Sequence, residues 1–138
     1  MIKVLYGGKG MGKTKILLDA ANKAVKECKG NVIFIDDCND LITKLPYNIR
    51  FVNVMDYPVH GSHEFLGFIC GIASRDYDLS QLYIDGLTYI VKEDISDLEN
   101  FFRGAEQITK LCKFDLFMSI NGDENDIPDF IKQYVWKD

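Results

Sequence analysis

The sequence predicts an α/β domain: a five-stranded, mainly parallel sheet covered by helices on both faces, in three layers. Three observations point there. Short apolar runs alternate with longer stretches of helical periodicity, the pattern of parallel strands joined by crossover helices. One of those runs, Asn31–Asp36 (N-V-I-F-I-D), is almost continuously apolar, as a strand covered on both sides must be. The first run leads through a glycine-rich turn straight into a helical pattern. With 138 residues and 47 % hydrophobic content, the chain has enough for one core and too little for two, so residues 1–138 are expected to form a single domain.

Each element has its own signal. Ile2–Tyr6 reads as the first strand. A helix follows from Lys13 to about Cys28, with Leu17, Ala20, Ala21, Ala24, Val25 and Cys28 on one stripe. Asn31–Asp36 is the second strand. Residues 38–49 read as loop or a short helical turn, closed by Pro46, and Arg50–Val54 is a shorter third strand. From Ser62 to about Arg75 the periodicity gives an unusually apolar helix carrying Phe65, Leu66, Phe68, Ile69, Ile72 and Ala73. Gln81–Asp85 is the fourth strand. Ser96-Asp97-Leu98-Glu99 reads as a capping box opening a helix to about Lys113. Phe114–Ile120 is the fifth strand, and Pro128 starts a last short helix.

The turn after the first strand carries the chemistry. Gly7-Gly8-Lys9-Gly10-Met11-Gly12-Lys13-Thr14 is a complete G-x-x-x-x-G-K-[ST] phosphate-binding loop, with a strand before it and a helix after it. Such a loop turns backbone N–H groups toward a polyphosphate and sets the charge at a helix N-terminus, where orphan donors and the helix dipole favour anions. The expected ligand is a nucleotide, held by its polyphosphate. Gly7 to Thr14 form the cradle, Lys13 reaches the β- and γ-phosphate oxygens, and Thr14 offers a hydroxyl to Mg²⁺.

The ion needs a carboxylate at a neighbouring strand end, on the edge where open α/β sheets bind ligands. Leu82-Tyr83-Ile84-Asp85 supplies one, and Asp85 is expected to share Mg²⁺ with Thr14. Ile33-Phe34-Ile35-Asp36 has the same form and competes with it. Asp36 and Asp37 stay open between positioning a water and simply starting a turn.

These stretches resemble one branch of the P-loop NTPases, the RecA-like recombinases and the related clock ATPases. Phe34-Ile35-Asp36-Asp37 is similar to their second strand, Tyr83-Ile84-Asp85-Gly86-Leu87-Thr88 to their Walker B strand, and Phe117-Met118-Ser119-Ile120-Asn121 to their sensor strand. The chain also resembles short bacterial P-loop proteins sometimes labelled twitching-motility ATPases. The resemblance covers roughly residues 1–121. It implies the P-loop NTPase fold with strand order 3-2-4-5-1, Mg-ATP as ligand, and nucleotide sites that face a neighbouring subunit.

Two departures bear on turnover. Aligned on Phe34-Ile35-Asp36, the family's catalytic glutamate falls on Cys38, and Asp37 beside it is the remaining candidate to position water. The family's sensor glutamine falls at Gly122, beside Asn121. The expected function is therefore a weak Mg-dependent ATPase or a nucleotide-responsive switch acting through a protein partner. A small-molecule kinase is one alternative. It would need an arginine-bearing lid, and Arg50, Arg75 and Arg103 are the only arginines and lie scattered. A nucleotide-binding scaffold without turnover is the other.

The rest of the chain narrows the partners. Net charge is −5, which argues against a nucleic-acid ligand. No stretch is long and apolar enough for a membrane span and no targeting segment is apparent, so a cytoplasmic protein is expected. Cys28, Cys38, Cys70 and Cys112 form no C-x-x-C and read as reduced structural thiols. His60, His63 and Glu64 read as polar surface, and the acidic loop Asp123, Glu124 and Asp126 as solvated. Gly67 and Gly71 read as a close-packing face against the sheet, with a subunit contact as the other reading.

Overall fold

Residues 1–137 are described in the computed structural model. The strands are β1 (Ile2–Gly7), β2 (Asn31–Asp36), β3 (Arg50–Asn53), β4 (Leu79–Ile84) and β5 (Asp115–Asn121). All pair in parallel, in the order β1-β5-β4-β2-β3. Read from the other edge, this is the expected 3-2-4-5-1, and the fold is the three-layer α/β fold of the P-loop NTPases. The helices are α1 (Lys13–Glu27), α2 (Gly61–Arg75), α3 (Leu87–Val91), α4 (Glu99–Cys112) and α5 (Asp129–Lys132). None of the described helices is long and apolar enough to cross a membrane.

The two faces of the sheet are covered unequally. On one, α1 packs Leu17, Ala21 and Ala24 onto Leu5, Val32, Phe34, Tyr83 and Phe117, joined by Leu41 and Ile49 from the segment between β2 and β3. Small alanines bring this helix close to the sheet. The ring of Tyr83 stacks between Phe34 (centroids 6.0 Å apart) and Phe117 (4.8 Å). The other face is larger. There Phe65, Ile69 and Ala73 of α2 and Phe101, Phe102, Ala105 and Ile108 of α4 bury Ile35, Leu82, Ile84, Leu116 and Met118. Because residues in register on parallel strands share a face, each strand contributes alternately to both cores.

Two local expectations change, and two further features have no signal in the sequence. The Ser96–Glu99 capping box does not form. Ser96 belongs to a 3₁₀ turn, Ile95–Asp97, closed by Asp97 N–H to Asp94 O and Leu98 N–H to Ile95 O. The helix then starts at Glu99 with Leu98 as its uncapped N-terminal residue. Gly67 and Gly71 do not pack on the sheet. They stand two residues out of phase with Phe65, Ile69 and Ala73, so they fall on the opposite, exposed side of α2 with open space beside them. Helix α3 has no periodic signal because it is only five residues long. Finally, the chain end adds to the sheet. Val4 N–H donates to Tyr134 O and Trp136 N–H to Val4 O, both at 2.8 Å, so residues 134–136 cover the outer edge of β1.

Candidate functional site

Strands β1, β5, β4 and β2 all end on one edge of the sheet, and their C-terminal ends surround a cleft of about 550 Å³. The loop after β1 forms one wall. Gly10 and Gly12 hold positive φ (88° and 77°), which lets the backbone turn tightly into α1 without a Cβ clash. Gly12 accepts the first helical bond, from Ile16 N–H at 3.1 Å, and so serves as the N-terminal residue of α1. Lys9, Gly10, Gly12, Lys13 and Thr14 line the cleft directly. Gly7, Gly8 and Met11 do not line it, and Gly8 N–H is turned to the Met11 sulfur at 3.2 Å.

Lys13 lies folded onto its own loop. Its Nζ donates to Gly7 O at 3.0 Å and Gly8 O at 2.6 Å. Partial burial lowers its pKa, opposed by the carboxylates of Asp85 and Glu124. The exposed acidic loop after β5 therefore acts on the phosphate-loop lysine through Glu124.

Thr14 and Asp85 meet across the cleft. Thr14 Oγ1 donates to Asp85 Oδ2 at 2.9 Å, and Ser119 Oγ donates to Asp85 Oδ1 at 2.7 Å. The Ser119 oxygen in turn accepts Gly86 N–H at 2.8 Å. Three elements thus converge on one carboxylate. Ser119 was not among the expected site residues. Its sequence signal is a lone hydroxyl inside the apolar run Leu116–Ile120, and it is 2 % exposed. A buried polar side chain in a strand needs a partner, and here the partner is Asp85.

Asp36 ends β2 beside Asp85. Ile35 pairs with Ile84, so the next two side chains lie on the same face, directly above the stacked Phe34 and Tyr83 rings. Asp36 is 5 % exposed. Its Oδ1 accepts Asp37 N–H at 2.7 Å. Burial pushes its pKa up to about 7. The Asp37 N–H opposes that rise, while the Asp37 carboxyl and the charge on Asp85 add to it. Asp37 is half-buried and also lines the cleft, as do Cys38, Asp40 and Tyr89. The Asp36 and Asp37 carboxylates and the Cys38 sulfur fall within 4.8 Å of one another. The thiol is pushed up overall: Asp40 N–H stabilises the thiolate, but burial and the Asp36 and Asp40 carboxylates outweigh it. Cys38 thus lines the functional edge instead of filling the core, and like the other three cysteines it is unbridged.

The remaining expectations sort by distance from this edge. Asn121 lines the cleft, next to Gly122. A side chain at 122 would run into the Tyr6 ring and hydroxyl, so this backbone path excludes a glutamine there. Arg103 is engaged by Glu99 on its own helix at 3.2 Å, and neither Arg50 nor Arg75 lines the cleft. Among the described residues its only basic side chains are Lys9 and Lys13. His60 and His63 are remote from it.

No protein-family model and no curated protein sequence matches the chain. Among solved structures it is similar to the crystal structure of the flagellar accessory protein FlaH from Methanocaldococcus jannaschii. The TM-score is 0.55 at 13 % identity, over 93 % of this chain and 63 % of the FlaH chain. This chain thus spans less than two thirds of the FlaH length. A likeness at that identity shows the fold, and it agrees with the strand order that the RecA-like resemblance implied.

Proposed function

We propose that this chain is a Mg-ATP-binding protein, a slow ATPase or nucleotide-responsive switch that works through a partner protein. The observation that carries the reading is the meeting of a complete phosphate-binding loop with a strand-end carboxylate: Lys13 and Thr14 open α1, and Thr14 Oγ1 is 2.9 Å from Asp85 Oδ2. The donor set is a hydroxyl and a carboxylate, hard oxygen ligands of the kind Mg²⁺ takes beside phosphates. Thr14 and Asp85 would hold the ion, which offsets phosphate charge when bound. Ser119 and Gly86 keep the Asp85 carboxylate aimed into the cleft.

The chain's own residues have separate tasks in this reading. Backbone N–H groups of the Gly7–Thr14 loop and the α1 N-terminus orient the phosphates. Lys13 leaves the Gly7 and Gly8 carbonyls to contact the β- and γ-phosphate oxygens. Asp37 is the group assigned to position the attacking water. Phosphoryl transfer depends on positioning and on charge around the phosphoryl oxygens. Here the cleft carries a short aspartate where a glutamate would reach farther, and no arginine. Turnover by the isolated chain is therefore expected below the ~1–100 s⁻¹ of an ordinary kinase.

The test is ligand-linked stability. Mg-ATP or Mg-ADP at about 100 times its Kd should stabilise the protein by about 2.7 kcal/mol through mass action. Lys13→Ala should lose most of that increment while staying folded, its unliganded melting temperature falling only by what the two bonds to the Gly7 and Gly8 carbonyls contribute, because the ammonium is not part of either core. The same nucleotide-induced shift in both proteins would overturn the site.

A further inference from the structure

Helix α2 buries Phe65, Ile69 and Ala73 against the sheet, yet its opposite side is not polar. On a surface helix that side should carry charges along its length. Here the middle of it holds Gly67 and Gly71, both exposed, with open space beside them. The shoulders are Leu66 and Cys70 toward α4 and Phe68 and Ile72 toward β3, all only half-buried. Leu111 of α4, 75 % exposed, lies beside Leu66 and Cys70 and widens the apolar area.

Charge returns only near the ends, and with opposite signs. Glu64 stands in the first turn of α2 and Arg75 in the last. They are related as i and i+11, close to three full turns, so both fall on the β3 shoulder in line with Phe68. Both are exposed, and among the described residues neither has an opposite charge within 4 Å. Glu64 Oε1 takes His60 N–H at 2.8 Å, which turns the carboxylate toward the start of the helix.

That order of charges is self-complementary. Consider two copies of α2 face to face and antiparallel, related by a two-fold axis that crosses them level with Ile69. Gly67 of each then meets Gly71 of the other. The β3 shoulders stay on one side of the crossing, so Glu64 of each copy meets Arg75 of the other. A parallel arrangement would instead gather both acids at one end and both arginines at the other.

We propose that the exposed side of α2 docks a second copy of this chain in this antiparallel, two-fold manner. The glycines let the helix axes approach to the short end of the ~8–10 Å range of helix packing. Leu66, Phe68, Cys70, Ile72 and Leu111 then leave water on both sides of the crossing. Each contact is made twice, and the two ion pairs at the rim set the direction. None of these residues lines the nucleotide cleft, and the nucleotide reading plays no part in this inference.

Sedimentation equilibrium of the full chain, without nucleotide, gives the mass. A dimer is expected by about 100 µM, and a monomer at that concentration would overturn the proposal. Gly67→Gln/Gly71→Gln puts two better helix formers at exposed positions, so the chain should stay folded. The dimer should nevertheless weaken at least about tenfold, because the backbones no longer come close. An unchanged dimer would move the interface off α2. Glu64→Arg and Arg75→Glu each set like charges together and should weaken self-association by a similar factor. Mixed in equal amounts, the two variants should pair at least about tenfold more tightly than either does alone, because opposite charges then meet at both rims. A mixture no tighter than its components would overturn the antiparallel pairing. Melting curves check each fold. Glu64 also holds His60 N–H, so if Glu64→Arg unfolds, the Arg75→Glu and glutamine variants decide the matter.

Discussion

The ends of β2 and β4 are built to one pattern and behave differently. Each is three apolar residues followed by an aspartate, Ile33-Phe34-Ile35-Asp36 and Leu82-Tyr83-Ile84-Asp85. The strands are neighbours, in register, and both carboxylates face the same cleft. Asp85 receives two hydroxyl hydrogens, from Thr14 on α1 and Ser119 on β5. Asp36 receives the backbone N–H of Asp37, lies buried next to two further carboxylates, and is held up to about pKa 7. What separates the two is the set of donors that other elements bring, and not anything in the four-residue pattern. A carboxylate met by donors is ready to face a cation, and one that is buried, with other carboxylates beside it, resists ionising.

The strongest way to sharpen the contrast is to remove the favoured member. Asp85→Ala strips the acceptor from two hydroxyls, one of them buried. It should cost about 1–3 kcal/mol of stability, read from denaturant unfolding. It should also weaken the Mg²⁺ dependence of nucleotide binding, seen by comparing thermal shifts with Mg²⁺ and with EDTA. A variant that keeps full Mg²⁺ dependence would remove Asp85 from the ion site. The next effect belongs to Asp36. Its folded pKa lies above its ordinary value of 3.8, so between about pH 4 and 7 the native state holds a proton that the unfolded chain has lost. Stability must then fall as pH rises through that window and level off above it, by at most about 1.4 kcal/mol per pH unit. Asp36→Asn keeps the shape and the acceptor for Asp37 N–H but has no proton to lose. It should flatten this slope, matching the wild type near pH 4 and exceeding it at pH 8. An unchanged slope would place the titration elsewhere.

The smallest effect on folding is expected at Asp37. Its side chain is half-buried at the mouth, so Asp37→Ala should shift stability by no more than about 0.5 kcal/mol. ATP binding should persist while the residual phosphate release disappears. A rate that survives would move the water-positioning role to Asp36, the other carboxylate at that strand end.

Much of this is legible in the sequence. The eight-residue loop names its own neighbours, because a phosphate cradle needs a strand before it and a helix after it. The apolar run Asn31–Asp36 could only be a strand covered on both sides, and its bounds agree with β2. The stripe Leu17, Ala21 and Ala24 gave the buried side of α1. Signals failed where they were short or where two elements competed for one residue. Five residues of α3 hold too few turns to show a period, and Ser96 carried a capping signature that a 3₁₀ turn used up instead. The Gly67–Gly71 spacing was real, but spacing alone does not say which side of a helix meets the sheet. That side was set by the heavier ridge of Phe65, Ile69 and Ala73.

The sequence by itself determined the kind of domain and the position of the glycine-rich loop, and it offered Asp36 and Asp85 alike as carboxylates at the neighbouring strand ends, because these depend on periodicity and on contiguous residues. Tertiary structure alone decided that Ser119 and Thr14 share Asp85, that burial raises the pKa of Asp36, and that Gly122 has no room for a side chain. It also decided that the chain end covers the β1 edge while the glycine side of α2 is left uncovered. Each of these depends on residues far apart in sequence, as with Thr14 and Asp85 at 71 positions or Val4 and Val135 across the β1 edge. Hydrogen bonds, desolvation and steric exclusion act over a few ångströms of space, and only the folded chain says which residues share them.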